Sequence, residues 1–82
     1  MYIEVITPEK VVYEGAVDVA TLPGSQGSFQ VLNNHAPIIS SLVAGEMKIA
    51  NNNKVMYYEI GGGVVEVLRN KIIVLVEKAE EV

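Results

Sequence analysis

Residues 46–76 read EMKIANNNKVMYYEIGGGVVEVLRNKIIVLV, which is four β-prone runs separated by three short interruptions. Apolar and polar residues largely alternate within the runs, and β-branched and aromatic side chains predominate, as is typical of strands. Residues 51–53 and the pair Arg69-Asn70 each join two runs, and asparagine tolerates the left-handed backbone of tight turns. The stretch therefore predicts two β-hairpins, with the glycines at 61–63 marking a bulge or a close backbone approach.

The period of two continues toward the N-terminus in the runs YIEVI, KVVYEG, AVDVATL, SFQVL and IISSL. Pro8-Glu9 predicts a turn between the first two runs. In LPGSQG, the pair Pro23-Gly24 predicts the centre of a type II turn, because proline presets φ and glycine accepts a positive φ. The closing EKAEEV favours a helix but is too short for a stable one.

About ten short strands within 82 residues predict one all-β domain, residues 1–82, folded as a sandwich or barrel. Half of the residues are hydrophobic, which excludes intrinsic disorder and leaves apolar surface for a partner. The sequence has no helical period and no internal repeat. A ten-stranded β-sandwich without a C-terminal helical domain is the expected fold.

The net charge of −4 and the scattering of the six basic residues argue against nucleic acid and anionic membrane surfaces as partners. Absence of cysteine excludes disulfides and thiolate chemistry. The opening MYIEVITPEK has no signal-peptide pattern, and the longest aliphatic run, residues 72–76, is far shorter than a membrane-spanning helix. Direct membrane insertion is not expected.

The single histidine, His35, lies in the segment NNHAPIIS and invites a catalytic reading together with Asp18 and a serine. The chain has no G-x-S-x-G elbow, and so small a shell leaves little room for a substrate pocket. One histidine, no cysteine and scattered carboxylates also predict no metal site. His35 is therefore expected in a loop, and neither catalytic residues nor a cofactor is predicted.

Two further patterns have competing interpretations. Met47-Lys48 is similar to the modified pair of biotin-carrying sandwich domains, but the neighbouring turn predicts Lys48 inside a strand rather than at a hairpin tip. The glycine-rich stretches at 24–27 and 61–63 are followed by strands, which is unlike phosphate-binding loops that lead into helices. A biotin- or lipoyl-type carrier domain and a free-standing ligand-binding sandwich remain the alternatives.

Three segments together resemble the N-terminal domain of the epsilon subunit of F-type ATP synthase, and they cover nearly the whole chain. They are YIEVITPEKVVYEG (2–15), LPGSQGSFQVLNNHAPIISSLVAGEMKI (22–49) and YYEIGGGVVEVLRNKIIVLVEKAEEV (57–82). The middle segment is the most specific, since a Pro-Gly-x-x-Gly turn, a strand and His-Ala-Pro follow one another in order. The resemblance implies a ten-stranded β-sandwich and a non-catalytic rotor subunit of the central stalk.

The resemblance also implies partners and contact residues. The gamma subunit would contact Thr7, His35 and Ser40, and the membrane c-ring would contact Ser28 and the pair Asn33-Asn34. Some relatives have an acidic residue at the position of Ser28, so any contact there would be a neutral hydrogen bond. The implied location is the cytoplasmic face of the energy-coupling membrane, as a peripheral part of the ATP synthase.

Members of this family usually continue into two antiparallel helices, which can inhibit ATP hydrolysis and in some members bind ATP. The present sequence stops at Val82, where the first helix would begin. The expectation is a short form, natural or cut, that couples rotation but has no inhibitory arm and binds no ATP.

Overall fold

The computed structural model describes residues 1–82 and consists of ten β-strands joined by short turns. The strands are β1 (Tyr2–Ile6), β2 (Val11–Ala16), β3 (Val19–Gly24), β4 (Gly27–Leu32), β5 (Ile38–Leu42), β6 (Gly45–Asn51), β7 (Lys54–Ile60), β8 (Gly63–Leu68), β9 (Lys71–Val76) and β10 (Ala79–Glu81). This confirms the all-β prediction and the strand number. No long apolar helix of the kind that crosses a bilayer is present.

The strands form two five-stranded layers. Sheet 1 has the order β4-β3-β6-β7-β10, and sheet 2 has the order β5-β8-β9-β1-β2. The layers are joined at one corner, where β3 leaves β6 and its last residue, Gly24, pairs with Leu42 of β5. All pairings are antiparallel except that of β1 with β9, which is parallel and joins the first strand to the ninth.

The inner faces of both sheets supply a core of sixteen buried apolar residues, with no buried polar or charged side chain. Alternation places every second residue of each strand inward, as Ile3 and Val5 of β1 and Ile72 and Val74 of β9 illustrate. Tyr58 of β7 packs between the sheets and its ring lies 6.2 Å from that of Tyr13 on β2. The core therefore uses one face of each sheet and leaves two outer faces.

The connections between strands separate into two ends of the sandwich. One end, named here the asparagine end, has turns or loops at 17–18, 33–37, 52–53 and 69–70. All four non-glycine residues with positive φ lie there: Asn34, Asn52, Arg69 and Asn70. The opposite end, named the glycine end, has the connections at 7–10, 25–26, 43–44, 61–62 and 77–78.

Two predicted hairpins are confirmed. Asn52 takes φ 57° in the β6–β7 turn, and Arg69 and Asn70 take φ 52° and 64° in the β8–β9 turn. Two consecutive positive φ values are the signature of a type I′ turn, which matches the twist of the flanking strands. The predicted close approach after the glycine run is also confirmed, since a Cβ on Gly63 would overlap the carbonyl oxygen of Leu75.

The predicted turn at Pro23-Gly24 is wrong. Both residues belong to β3, where Pro23 pairs with Ser28, and the turn lies at Ser25-Gln26. Gly24 is buried at the sheet corner against the Phe29 ring, and the positive φ of 123° belongs to Gly27. The prediction failed because the end of β3 lies at the corner between the two sheets. A strand can contain a proline at such a position, where the missing N–H is not needed for a hydrogen bond.

The helical preference of the last residues is also overridden. Ala79–Glu81 form β10, which pairs antiparallel with β7 through Ala79↔Ile60 and Glu81↔Tyr58. The free edge of β7 offers backbone partners at once, whereas a six-residue helix would begin with a costly nucleus.

Candidate functional site

The outer face of sheet 2 is the most unusual surface of the molecule, because outward positions that would normally be polar are apolar. Eight of its residues are apolar and exposed or half-buried: Tyr2, Ile6, Val11, Ile39, Val64, Leu68, Ile73 and Leu75. Ile39, the second residue of β5, is 81% exposed. An antiparallel sheet that faces water usually has polar residues at such positions, so this face is suited to cover by a partner.

The residues of this face form three rows across the five strands. The row nearest the glycine end consists of Ser41, Val64, Leu75, Ile6 and Val11. The central row consists of Ile39, Glu66, Ile73, Glu4 and Glu14. The row nearest the asparagine end consists of Leu68, Lys71, Tyr2 and Ala16. Apolar residues dominate the first row, and the charged residues concentrate in the second. The face is therefore an apolar surface crossed by one charged strip.

Lys71 supplies the only cation of this face. Its Nζ lies 2.8 Å from a carboxylate oxygen of Glu4. The hydrogen bond to Glu4 raises the pKa of Lys71 above its ordinary value. Desolvation and the neighbouring carboxylates of Glu14 and Glu4 raise the pKa of the Tyr2 hydroxyl. This ion pair is partly exposed and contributes specificity of arrangement more than stability.

The outer face of sheet 1 is more polar. Its two rows nearer the glycine end contain Ser28, Glu46, Glu59, Glu80, Gln30, Thr21 and Lys48, together with Pro23 and Tyr57. The row nearest the asparagine end is apolar and consists of Leu32, Val19, Ala50 and Val55. Lys48 lies within β6, opposite both Thr21 and Tyr57, as predicted from the position of the neighbouring turn. A lysine held inside a strand cannot act as the swinging arm of a carrier domain, which argues against that alternative.

A groove of about 470 Å³ opens at the glycine end, next to Thr7. Its walls come from the β1–β2 connection, the β7–β8 turn and the end of β9, through Ile6, Thr7, Pro8, Gly62, Gly63, Leu75, Val76 and Glu77. The groove is continuous with the apolar face because Ile6 and Leu75 belong to both. Thr7 is held in place by hydrogen bonds between its backbone and side chain and Lys10.

Asn70 holds the loop that contains His35. Its amide nitrogen donates to Oδ1 of Asn33 at 2.9 Å, and its own Oδ1 accepts from the backbone nitrogen of Asn34 at 2.8 Å. The turn of one hairpin thus fixes the crossover between the two sheets. This role of Asn70 was not predicted from the sequence, although the pair Arg69-Asn70 was predicted as a turn.

His35 is half-buried and bonded only to its own loop. Its backbone nitrogen donates to the Leu32 carbonyl, and its Nδ1 lies 2.7 Å from the Ala36 carbonyl. A carbonyl can only accept, so Nδ1 bears the proton and Nε2 is the free acceptor. Asp18 accepts from the backbone of Asn52 instead, so His35 and Asp18 do not form a catalytic pair.

The other predicted contact residues fall into two regions. Ser28 lies on β4 one pair from the β3–β4 turn, and Ser40 lies on β5 next to Ser41, whose hydroxyl is 2.8 Å from that of Ser25 in the same turn. Asn33 and Asn34 lie beside His35 at the other end. Thr7 and His35 lie at opposite ends of the sandwich, so they are at least the length of β1 apart, about 17 Å for five residues.

The predicted residues therefore divide by position in the sandwich. Thr7 and His35 mark the two ends of sheet 2, with Ser40 on its outermost strand, and all three are half-buried. Ser28, Asn33 and Asn34 are exposed and lie along or just beyond the edge strand β4. Groups of three or more metal-ligating side chains do not occur in the structure.

Comparison with protein families gives one match over the whole chain, residues 1–82, to the β-sandwich domain of the ATP synthase delta/epsilon chain. The ATP synthase epsilon chain of Leptospira interrogans is 40% identical over 92% of this chain and 59% of its own length. That of Nitratidesulfovibrio vulgaris is 39% identical over 98% and 60%. That of Desulfatibacillum aliphaticivorans is 43% identical over 95% and 56%. The chain thus spans somewhat more than half the length of these relatives.

Two solved structures have the same fold. A chain of the Euglena gracilis mitochondrial ATP synthase, from a structure of OSCP, F1 and the c-ring, superposes with a TM-score of 0.91 at 18% identity, over 96% of this chain and 51% of that chain. A chain of the Tetrahymena thermophila mitochondrial ATP synthase, from a structure of the central stalk and c-ring, has a TM-score of 0.84 at 21% identity, over 98% and 65%.

Proposed function

The chain belongs to the ATP synthase delta/epsilon family as its β-sandwich domain, and on that premise we propose that it is a non-catalytic rotor subunit of an F-type ATP synthase. In this role it links the gamma subunit to the c-ring and couples ion translocation to ATP synthesis. The observation that carries the proposal is the apolar outer face of sheet 2. A surface of this kind is typical of a permanent subunit interface, which resembles a core cut in half.

The gamma subunit would cover the outer face of sheet 2. Thr7 borders this face at the glycine end and His35 at the asparagine end, so a partner that contacts both must span at least the length of β1, about 17 Å, and several strands of sheet 2. Ser40 lies on the outermost strand, β5, between Ile39 and Ser41, and its side chain faces the inner side of the sheet, so any contact with gamma would be at the edge of β5. The groove beside Thr7 would receive an apolar side chain of the partner, because Ile6 and Leu75 continue the face into it.

The c-ring would contact the edge strand β4 and the loop that follows it. Ser28 points outward near one end of β4, and Asn33 and Asn34 follow its other end. These side chains are neutral, so the contact would consist of hydrogen bonds and would depend little on salt. Gln30 and Leu32 lie on the same outward side of β4 and complete this strip.

Torque transmission requires a rigid body between the two partners. The ten strands are joined into one hydrogen-bonded system through the corner at Gly24. Asn70 fixes the loop of His35 to sheet 2, and the inner faces share one close-packed core. A load applied at β4 would therefore pass through β3 into both layers, and the domain would turn as one piece.

As a rotor subunit the protein would belong to a membrane-associated complex, at its cytoplasmic face. The 82 residues form ten strands joined by turns, with no helix, and by themselves we expect them to support coupling without inhibiting ATP hydrolysis and without binding ATP. A reconstituted enzyme with this chain should hydrolyse ATP faster than one with an epsilon chain that has the helical hairpin. Equal suppression by the two would contradict this expectation.

The decisive experiment is co-purification of the tagged chain with the gamma subunit and c-ring of the same organism. We expect a stable complex with gamma, strengthened by the c-ring. Failure to bind gamma would refute the proposed function. His35→Ala should weaken the complex while the isolated domain keeps its unfolding midpoint, because His35 is bonded only within its own loop. A His35→Ala domain that unfolds would instead identify His35 as a structural residue.

A further inference from the structure

The central row of the outer face of sheet 2 contains three carboxylates, and we name it the acidic row. It consists of Ile39, Glu66, Ile73, Glu4 and Glu14, one residue from each of the five strands. Three carboxylates against the one ammonium of Lys71 leave this face with a net charge of −2. Apolar rows are expected on a face that is covered, but charged residues at its centre need a separate explanation.

The three carboxylates differ in what surrounds them. Glu4 is paired with Lys71, and Glu14 interacts with the Tyr2 hydroxyl. Glu66 lies directly between Ile39 and Ile73 on the neighbouring strands and makes no hydrogen bond or ion pair within the chain. Lys71 is diagonal to Glu66 in the sheet but is held by Glu4. Glu66 is therefore the exposed carboxylate of the acidic row that no group of this chain satisfies, and in the isolated domain it is solvated by water.

An uncompensated carboxylate is tolerated in water and strongly unfavourable beneath an apolar partner. Ile39 and Ile73 flank Glu66, so a partner that covers the two isoleucines must also cover the carboxylate. The cost of desolvation disappears only if the partner supplies a cation or several hydrogen-bond donors at that point. Glu14 sets the same condition at the other side of the face, where it stands directly opposite Glu4.

A second copy of this chain does not meet the condition. A two-fold axis through the face would bring the acidic row of one copy against that of the other, with like charges in register. The net charge of −2 would then repel an equal charge across an apolar seam. The acidic row thus disfavours self-association of a face that is otherwise apolar enough to dimerise.

We propose that the acidic row fixes the position at which a partner binds the outer face of sheet 2, and that this partner presents an arginine or lysine opposite Glu66 within an otherwise apolar surface. The inference rests on the proposed function, in which that partner is the gamma subunit. The apolar rows would supply most of the affinity, and the Glu66 pair would fix the angle and position at which the two surfaces meet.

The test compares single variants of the full 82-residue chain in binding to the recombinant gamma subunit of the same organism. Glu66→Gln removes the charge and keeps the size, and Glu66→Lys reverses the charge. Glu59→Gln is the matched control, because Glu59 is an exposed carboxylate on the outer face of sheet 1. Affinity is measured by calorimetry at low and high salt.

We expect Glu66→Gln to weaken binding about tenfold at low salt and to flatten its salt dependence, and Glu66→Lys to weaken it about a hundredfold or more. Glu59→Gln should bind as the unmodified chain does. Equal or tighter binding of Glu66→Gln would overturn the inference, since it would mean that no cation faces Glu66. An unmodified chain that does not bind gamma would instead refute the proposed function, and with it the partner named here.

Discussion

On both outer faces of the sandwich every second residue of a strand points outward, but the two faces differ in the polarity of these residues. On sheet 1 the outward positions near the glycine end are mostly glutamates, a lysine and small polar residues; on sheet 2 most outward positions are isoleucine, leucine, valine and tyrosine. Seven of the sixteen core residues lie on sheet 1 and eight on sheet 2, so the fold alone does not require this difference. The difference indicates that the outer face of sheet 2 is better suited than that of sheet 1 to a large apolar partner.

The largest effect should come from breaking sheet 2 itself at Gly63. In Gly63→Ala the new Cβ would overlap the Leu75 carbonyl oxygen and lie 2.8 Å from Cα of Val76, so β8 and β9 must separate. We expect a loss of about 3 kcal/mol or more in the free energy of unfolding, measured in urea. Gly62→Ala is the control, because its Cβ would stand 3.4 Å from the Leu42 carbonyl. Equal stability of the two variants would show that sheet 2 tolerates separation here.

The next effect separates the two faces directly. Leu75→Asp places a charge in the apolar row of sheet 2, and Tyr57→Asp places one on sheet 1 at a similar exposure of 46% and 39%, respectively. We expect Leu75→Asp to weaken binding to gamma about a hundredfold, as for a central apolar contact, and Tyr57→Asp to leave it unchanged. Similar losses from both variants would remove the proposed distinction between the faces.

A smaller effect compares one turn from each sheet. Asn70→Gly keeps the positive φ of the β8–β9 turn and removes the two hydrogen bonds to Asn33 and Asn34, whereas Asn52→Gly changes a β6–β7 turn residue whose side chain makes no bond. We expect Asn70→Gly to cost about 1–2 kcal/mol of stability. Hydrogen exchange at the His35 amide should accelerate in Asn70→Gly only. Unchanged exchange would show that the loop holds its shape without Asn70.

The smallest effect is alkaline destabilisation. Burial, with a contribution from Glu81, raises the pKa of Tyr58 above 10.0, and the hydrogen bond to Glu4 raises that of Lys71 above 10.5. A raised pKa means that the folded state holds the proton more tightly. The stabilisation from these two groups is therefore complete at a pH below their ordinary pKa values. It is lost as the pH rises through their pKa values in the folded state. The thermal midpoint should fall above about pH 10, and Tyr58→Phe should reduce the fall; an unchanged pH profile in Tyr58→Phe would assign it to Lys71 and other groups.

Local features of this fold could be predicted from the sequence, and long-range ones could not. The strand number and the hairpins at Asn52 and at Arg69-Asn70 follow from alternation and turn chemistry within a few residues. The turn at Pro23-Gly24 was mispredicted because its outcome depends on β5, which meets Gly24 at the sheet corner. Similarly, β10 forms because β7 has a free edge, and this cannot be predicted from the sequence of residues 77–82 alone.

The apolar face itself was not predicted from the sequence. The resemblance to a known family predicted contacts at Thr7 and His35, which lie at the two ends of sheet 2, and at Ser40 on β5, but named none of the residues of the apolar face. A signal was available: VVEVL and KIIVLV are nearly continuous apolar runs, which is typical of strands covered on both sides. Glu66 pairs with Ile73, which is 7 residues away in the same hairpin, and this pairing can be predicted from the local sequence. Glu66 also pairs with Ile39, which is 27 residues away, and this pairing cannot be predicted from the local sequence.

The parallel pairing of β1 with β9 has a consequence for the synthesis of the chain. Tyr2 pairs with Lys71, so the first strand to leave the ribosome obtains its central neighbour only after nearly all the rest has been made. At translation rates of 5–20 residues per second, this interval is about 3–14 s. During it, the β1–β2 hairpin lacks the strand that joins it to the rest of sheet 2, so we expect nascent chains to expose Ile3 and Val5 and to depend on a ribosome-associated chaperone until β9 emerges.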